Sequence, residues 1–213
     1  PIRVIHCGVQ INESVDVGAG INIQKKYKIN KKIVIGLVGR VERYKGQEDI
    51  IIACSDLPNA YQDKIIILLI GEGDKAEIRR LSNLASTLGV LDYIIFTGYI
   101  EGPSSKIIKQ LDLLLMLTKD FEGFGLTLAE AMAVGTPIIA TDVGGVREFV
   151  SGDVGTIIPP EAPIKLTEKI KEFIEEPSHY INKADNALTL IEDRFNAELM
   201  AKQYRRIMIE PSI

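Results

Sequence analysis

Two carboxylates eight positions apart, Glu122 and Glu130, sit in the stretch EGFGLTLAE. Two cations lie upstream in GRVERYKG: Arg40 follows Gly39, and Lys45 precedes Gly46. Carboxylates can accept hydrogen bonds from hydroxyl groups, and cations beside glycines can meet a phosphate whose oxygens approach the backbone. Each group also has a plainer reading. Thr127-x-x-Glu130 fits a capping box, which requires no ligand. Arg40 and Lys45 fit a solvated turn with scattered charge. Lys45, however, falls close to the start of an expected helix, where a cation is disfavoured by a few tenths to ~1 kcal/mol. A bound anion would reverse that sign. Glu122 stands between Phe121 and Gly123-Phe124 and caps nothing obvious. Thr141, Asp142 and Gly144-Gly145 are readable as turn chemistry, with Asp142 able to cap the helix carrying Arg147 and Glu148. His6 reads as a structural side chain, and Cys54, on an apolar helix face, reads as core.

These residues need elements to hold them. The run Leu113 to Leu117 is right for a buried strand, Thr118 to Gly125 for a loop, and the segment from Leu126 for a helix that Thr127 can cap. A strand that feeds a Gly-containing loop and then a helix N-terminus can hold an anion, because the first-turn N–H groups have no intrahelical partners. Further buried strands are expected at Ile33–Val38, Ile65–Ile70, Tyr93–Phe96, Pro137–Ala140 and Gly155–Ile158. Helices are expected at about 46–54, after Gly71-Glu72-Gly73 to about Leu88, from Pro103 as first residue, and at Val146–Val150. Three more stretches, roughly 161–176, 178–193 and 196–209, also read as helical. Pro1 to Gly8 reads as a short strand, followed by a polar stretch to about Asn30. Strand and helix alternate about six times, which argues for an α/β fold: a doubly wound, Rossmann-like, six-stranded parallel sheet with helices on both faces. Ligands on such sheets bind outside the carboxyl ends of the strands.

Composition bounds the function. The chain has 213 residues, is 46% apolar, and carries 25 basic against 29 acidic residues for a net charge of −4. It can bury a real core and has no general affinity for nucleic acid. Two cysteines and two histidines make neither a disulfide framework nor a structural zinc site. No run reaches membrane-spanning length, so a cytoplasmic location is the default, with contact at the inner face of a membrane only through a longer protein.

Together the motifs resemble the retaining glycosyltransferases of family 4, also called group 1, and specifically their C-terminal half. HCGV at 6–9, GRVERYKG, GEGD at 71–74, FTGYI at 96–100, EGFGLTLAE, GTPIIATDVGG at 135–145 and VGTIIPP at 154–160 fall in the family's order. Cys7 stands where the family usually has Asn. The resemblance implies the C-terminal half of a GT-B fold, with the nucleotide-sugar donor held here and the acceptor mainly in an N-terminal domain. It implies residues 1–30 as interdomain strand and linker, 31–176 as the nucleotide-sugar-binding domain, and 177–213 as helices that return to that other domain.

By matching position, Arg40 and Lys45 after Gly39 would bind the donor diphosphate and Glu130 the ribose hydroxyls. Gly71 would lie at the same site, and Tyr99-Ile100 would offer backbone groups to the base. Glu122, with the N–H groups of Gly123, Phe124 and Gly125, would bind the sugar hydroxyls, and Leu126 and Thr127 N–H groups would face the diphosphate. Glu122, Arg40 and Lys45 would thus be the groups at the reaction. No metal or other cofactor is expected, because two cations and a helix N-terminus neutralise the leaving diphosphate. The implied activity is hexosyl transfer from an NDP-sugar such as a UDP-sugar to a glycan, lipid or small molecule, in polysaccharide or glycoconjugate synthesis. The alternatives are a nucleotide-sugar-binding module without catalysis, or half of a GT-B sugar-nucleotide epimerase. An NAD domain is disfavoured by the missing glycine fingerprint.

Overall fold

In the computed structural model, residues 3–11 and 21–209 are described. Helix α1 (Ile23–Lys26) precedes strand β1 (Ile33–Val38), then come α2 (Gln47–Asp56), α3 (Asn59–Gln62) and β2 (Ile65–Ile70). The chain continues through α4 (Lys75–Thr87), β3 (Ile94–Gly98), α5 (Ser104–Ile108), β4 (Leu113–Met116), α6 (Leu126–Ala133), β5 (Ile138–Thr141) and β6 (Thr156–Ile158). It closes with α7 (Pro163–Glu175), α8 (Pro177–Arg194) and α9 (Ala197–Ile209). The six strands form one sheet in the order β3-β2-β1-β4-β5-β6, every neighbouring pair parallel.

The unbroken apolar strands follow from burial on both faces. Alternate residues of β2 feed opposite sides: Ile66, Leu68 and Ile70 pack with α5, α6 and α8, and Ile65, Ile67 and Leu69 pack with α2, α4 and α7. β4 divides likewise, Leu114 and Met116 to the first side and Leu113 and Leu115 to the second. Cys54 lies fully buried in the second cluster, as its apolar face suggests, and burial pushes its thiol up to about 12. Helix α8 also joins the core, burying Tyr180, Ala184, Ala187 and Ile191.

Four local expectations are corrected. Residues 3–8 form no strand; the segment is held instead at Val9, which bridges to Asn196, donates to Phe195 O and accepts from Ala197 N–H. The rest of that segment, Pro1 and Ile2, and part of the 1–30 linker lie outside the described residues. Pro103 is the cap of α5, not its first residue. The segment expected as a helix at 146–150 is a 3-10 turn over Gly144–Glu148. Asp142 does not cap it: Val143 does, and Asp142 instead takes a forked pair of hydrogen bonds from Arg147, which holds its carboxyl below the usual range.

Strands β1, β2 and β3 run outward to one side, and β4, β5 and β6 to the other. The direction of winding therefore reverses between β1 and β4. At such a reversal the loops leave in opposite directions and open a crevice at the carboxyl ends of the two strands.

Candidate functional site

That crevice is a cleft of roughly 360 Å³. The end of β1 contributes Leu37, Val38, Gly39 and Arg40; the following turn adds Tyr44 and Lys45. The end of β4 and its loop contribute Met116, Thr118, Glu122, Phe124, Gly125, Leu126 and Thr127, and Cys7 reaches the rim.

The β1 loop is held from within. Gly39 N–H donates to Ile70 O at 2.9 Å, and the buried amide of Gln47 donates to Arg40 O at 2.9 Å. Arg40 lines the cleft with a side chain that is 71% exposed and pairs with Glu42 at 2.9 Å. Lys45 is the last residue of a 3-10 turn over Arg43–Lys45 and turns inward, its Nζ 3.1 Å from Glu122 Oε2. The cation placed against the start of α2 thus has a carboxylate partner inside the protein.

The β4 loop carries the opposite charge and a row of donors. Thr118 Oγ lies 3.4 Å from Glu122 Oε2, and Phe124 anchors the loop by stacking on Phe149 with ring centroids 4.8 Å apart. Helix α6 begins at Leu126 behind Gly125, whose φ is 79° and which offers no side-chain cap. Thr127 is therefore the second helical residue, and the capping box read from Thr127 and Glu130 does not form. The helix starts at Leu126, as the sequence pattern suggests, but Gly125, in the left-handed region, holds the cap position and turns the chain into it. Leu128 and Ala129 N–H donate to Gly125 O, while the N–H groups of Leu126 and Thr127 find no acceptor among the described residues. They sit on the cleft wall as an unsatisfied, electropositive helix end.

A third loop holds the second in place. Gly145 N–H donates to Glu122 O at 2.9 Å. A Cβ on Gly144, whose φ is 51°, would lie 2.0 Å from Glu122 O, and one on Gly145 would lie 2.2 Å from Gly123 O. Only glycines let the two loops touch backbone to backbone. Thr141 Oγ donates to Thr118 O at 2.6 Å, and Lys119 N–H donates to Tyr44 O at 2.8 Å, so all three loops are tied together. Below them Lys119 Nζ pairs with the buried Asp49 at 3.2 Å. Burial pushes the Asp49 carboxyl up, against the pull of Lys119.

The structure therefore brings Gly39, Arg40, Lys45, Glu122, Phe124, Gly125, Leu126 and Thr127 around one cleft. Gly123 lies just behind, against Gly145. Gly71 hydrogen-bonds Gly98 O beside the β1 turn. Tyr99 and Ile100 follow β3, two strands away; Tyr99 is exposed and the Ile100 side chain is buried. Glu130, half-buried, lies one turn past Thr127 outside the cleft lining and has no hydrogen-bond or ion-pair partner among the described residues. His6 serves structurally, edge-on to Phe195 and 3.6 Å from Glu148. No group of three or more His, Cys, Asp or Glu among the described residues is arranged to hold a metal ion.

Gln47, Thr118, Lys119 and Tyr44 went unmarked in the sequence. Only the adjacency of Gln47 to the Lys45-Gly46 pair hinted at a role. The partners of the others are set by tertiary contacts with no local signature.

Residues 21–189 match the family described as glycosyl transferases group 1. An uncharacterised glycosyltransferase of Methanocaldococcus jannaschii is 30% identical over 97% of this chain and 52% of its own length. The N-acetyl-alpha-D-glucosaminyl L-malate synthase of Bacillus anthracis is 26% identical over 87% of this chain and 48% of its own. The chain thus spans about half the length of the curated relatives it matches.

Among solved structures, HepE of Anabaena, determined with UDP and with UDP-glucose, superposes with a TM-score of 0.86 at 23% identity, over 98% of this chain and 57% of HepE. The C-terminal domain of the group 1 glycosyl transferase LpcC of Francisella tularensis superposes with a TM-score of 0.73 at 25% identity, over 86% of this chain and all of that one. The doubly wound sheet is that of the C-terminal half of a GT-B glycosyltransferase. With residues 21–189 matched by that family and a relative 30% identical over 97% of the chain, this chain belongs to the group 1 glycosyltransferases.

Proposed function

We propose that this chain is the donor-binding half of a retaining, family 4 hexosyltransferase that takes its sugar from an NDP-sugar. The observation that carries the proposal is the single cleft in which Lys45, Arg40, the unsatisfied start of α6 and Glu122 converge. A diphosphate there meets a cation and two free N–H groups at once, and a sugar beyond it meets a carboxylate. The solved complexes of HepE with UDP and UDP-glucose support a uridine nucleotide as the first ligand to try.

In the proposed reaction the bond between the anomeric carbon and the terminal phosphate oxygen breaks, and the oxygen keeps the electron pair. The acceptor hydroxyl oxygen bonds to that carbon and its proton is released. Charge therefore grows on the phosphate oxygen, where Lys45, Arg40 and the helix end lower its energy. No cofactor or metal is needed for that step. Glu122 orients the sugar through its hydroxyls, Glu130 takes the ribose hydroxyls, and Tyr99-Ile100 backbone groups meet the base beside Gly71. The acceptor, a glycan, lipid or small molecule, is held by an N-terminal domain of the same polypeptide.

A thermal-shift panel of nucleotide sugars tests the reading. It predicts a rise in melting temperature with at least one NDP-sugar, and no shift with any of them would refute it. The isolated chain should bind its donor yet show negligible transfer, with transfer appearing when it is joined to an acceptor domain. Robust transfer by the chain alone would overturn the division of labour.

A further inference from the structure

The Lys45 ammonium and the Glu122 carboxylate stand 3.1 Å apart with their side chains only 23% and 21% exposed. On the reading just given, Lys45 meets the diphosphate and Glu122 meets the sugar. One carboxylate then lies within ion-pair reach of the cation that holds the terminal phosphate. Charges so placed interact strongly, because little water intervenes to screen them.

Substrate and product differ at that point. In an NDP-sugar the terminal phosphate is esterified to the sugar and joined to its neighbour by an anhydride, which leaves it a single negative charge. After transfer it is a free terminal phosphate held only by the anhydride, with a second pKa of about 6, so near neutral pH it carries most of a second charge. The product has lost the hydroxyls that Glu122 can accept from and has gained negative charge facing Glu122.

We propose that Glu122 is a specificity-determining residue that makes the cleft favour the nucleotide sugar over the nucleoside diphosphate left by transfer. The inference rests on the proposed donor site. It assigns Glu122 a second task beyond orienting the sugar: its carboxylate repels the dianionic terminal phosphate and competes with it for Lys45, which promotes product release.

The groups around Glu122 are few. Lys45, and Arg40 with Tyr44, come from the β1 loop; Thr118 comes from its own loop; Cys7 comes from the rim. The turn at 144–148 brings Glu148, which lies 3.6 Å from His6. His6 and Glu148 are unchanged in both proteins of the comparison below.

The test titrates three pairs, UDP and UDP-glucose, GDP and GDP-mannose, and ADP and ADP-glucose, into wild type and Glu122→Gln at pH 5.5 and pH 8. Glutamine keeps the shape and removes the charge; an unchanged melting temperature without ligand verifies the fold. For the pair that binds, at pH 8, Glu122→Gln should tighten the diphosphate about three- to tenfold and weaken the NDP-sugar, shrinking the preference by roughly tenfold or more. At pH 5.5, where the terminal phosphate takes up its proton, the gain for the diphosphate should fall to within about twofold. Equal weakening of both members, or a gain that is the same at both pH values, overturns the proposal and leaves the donor site standing. If no diphosphate and no NDP-sugar binds wild type, the donor site and this inference fall together.

Discussion

Glu130 is a half-buried carboxylate on α6 that no described residue partners, one turn beyond the helix start that faces the cleft. A capping role would have explained it, but Gly125 occupies the cap position. If Glu130 accepts hydrogen bonds from ribose hydroxyls, its charge matters to ligand and not to fold. Glu130→Gln should then weaken nucleotide binding by roughly 1–3 kcal/mol while leaving unfolding free energy almost unaltered. Calorimetric titration beside chemical denaturation separates the two, and unchanged affinity would remove Glu130 from the donor site. At this scale the sequence was informative about residue type but not about partner. Arg40, Lys45, Glu122 and the start of α6 stood out because charge and glycine recur together. Gln47 and Thr118 did not, because neutral hydrogen bonds to backbone, from Gln47 to Arg40 O and from Thr141 to Thr118 O, leave no trace in spacing.

The elements explain why the charged groups stay aimed. Backbone contact between the 122–123 and 144–145 loops fixes the Glu122 loop, and it depends on the absence of side chains at Gly144 and Gly145. Gly144→Ala should therefore displace Glu122 and lower nucleotide affinity about tenfold or more, besides the ~1–2 kcal/mol of backbone strain at its positive φ. Gly89→Ala supplies the control: its φ of 72° imposes similar strain, yet a Cβ there meets nothing within 4 Å, after α4 and far from the cleft. It should lower the melting temperature and leave nucleotide affinity intact. Equal effects of the two on binding would mean that strain, not loop contact, matters. The strands behind these loops were legible, because burial on both faces leaves unbroken apolar runs such as IIILLI at 65–70. The path of residues 3–8 was not, because its one anchor nearby, the bridge from Val9 to Asn196, is a tertiary contact with no local signature.

Across the whole molecule, winding outward from β1 and from β4 leaves a crevice where the two halves of the sheet diverge, and the β1 loop and the β4 loop with the start of α6 line it. Helix α9 buries no residue, and Tyr204, Met208 and Ile209 are exposed along it. No helix among the described residues is long and apolar enough to cross a membrane. Because cationic side chains and backbone donors face the proposed diphosphate, its binding should survive chelation: excess EDTA should alter the dissociation constant by less than about twofold. A strict need for Mg²⁺ or Mn²⁺ would contradict the roles given to Arg40 and Lys45. The central claim, that a nucleoside diphosphate binds in this cleft through Lys45, is tested most directly by titrating UDP and GDP into wild type and Lys45→Ala at low and at high salt. The account predicts that wild type binds at least one of them, that Lys45→Ala weakens it about tenfold at low salt, and that added salt narrows the difference. Equal affinity of the two proteins at every salt concentration would contradict it.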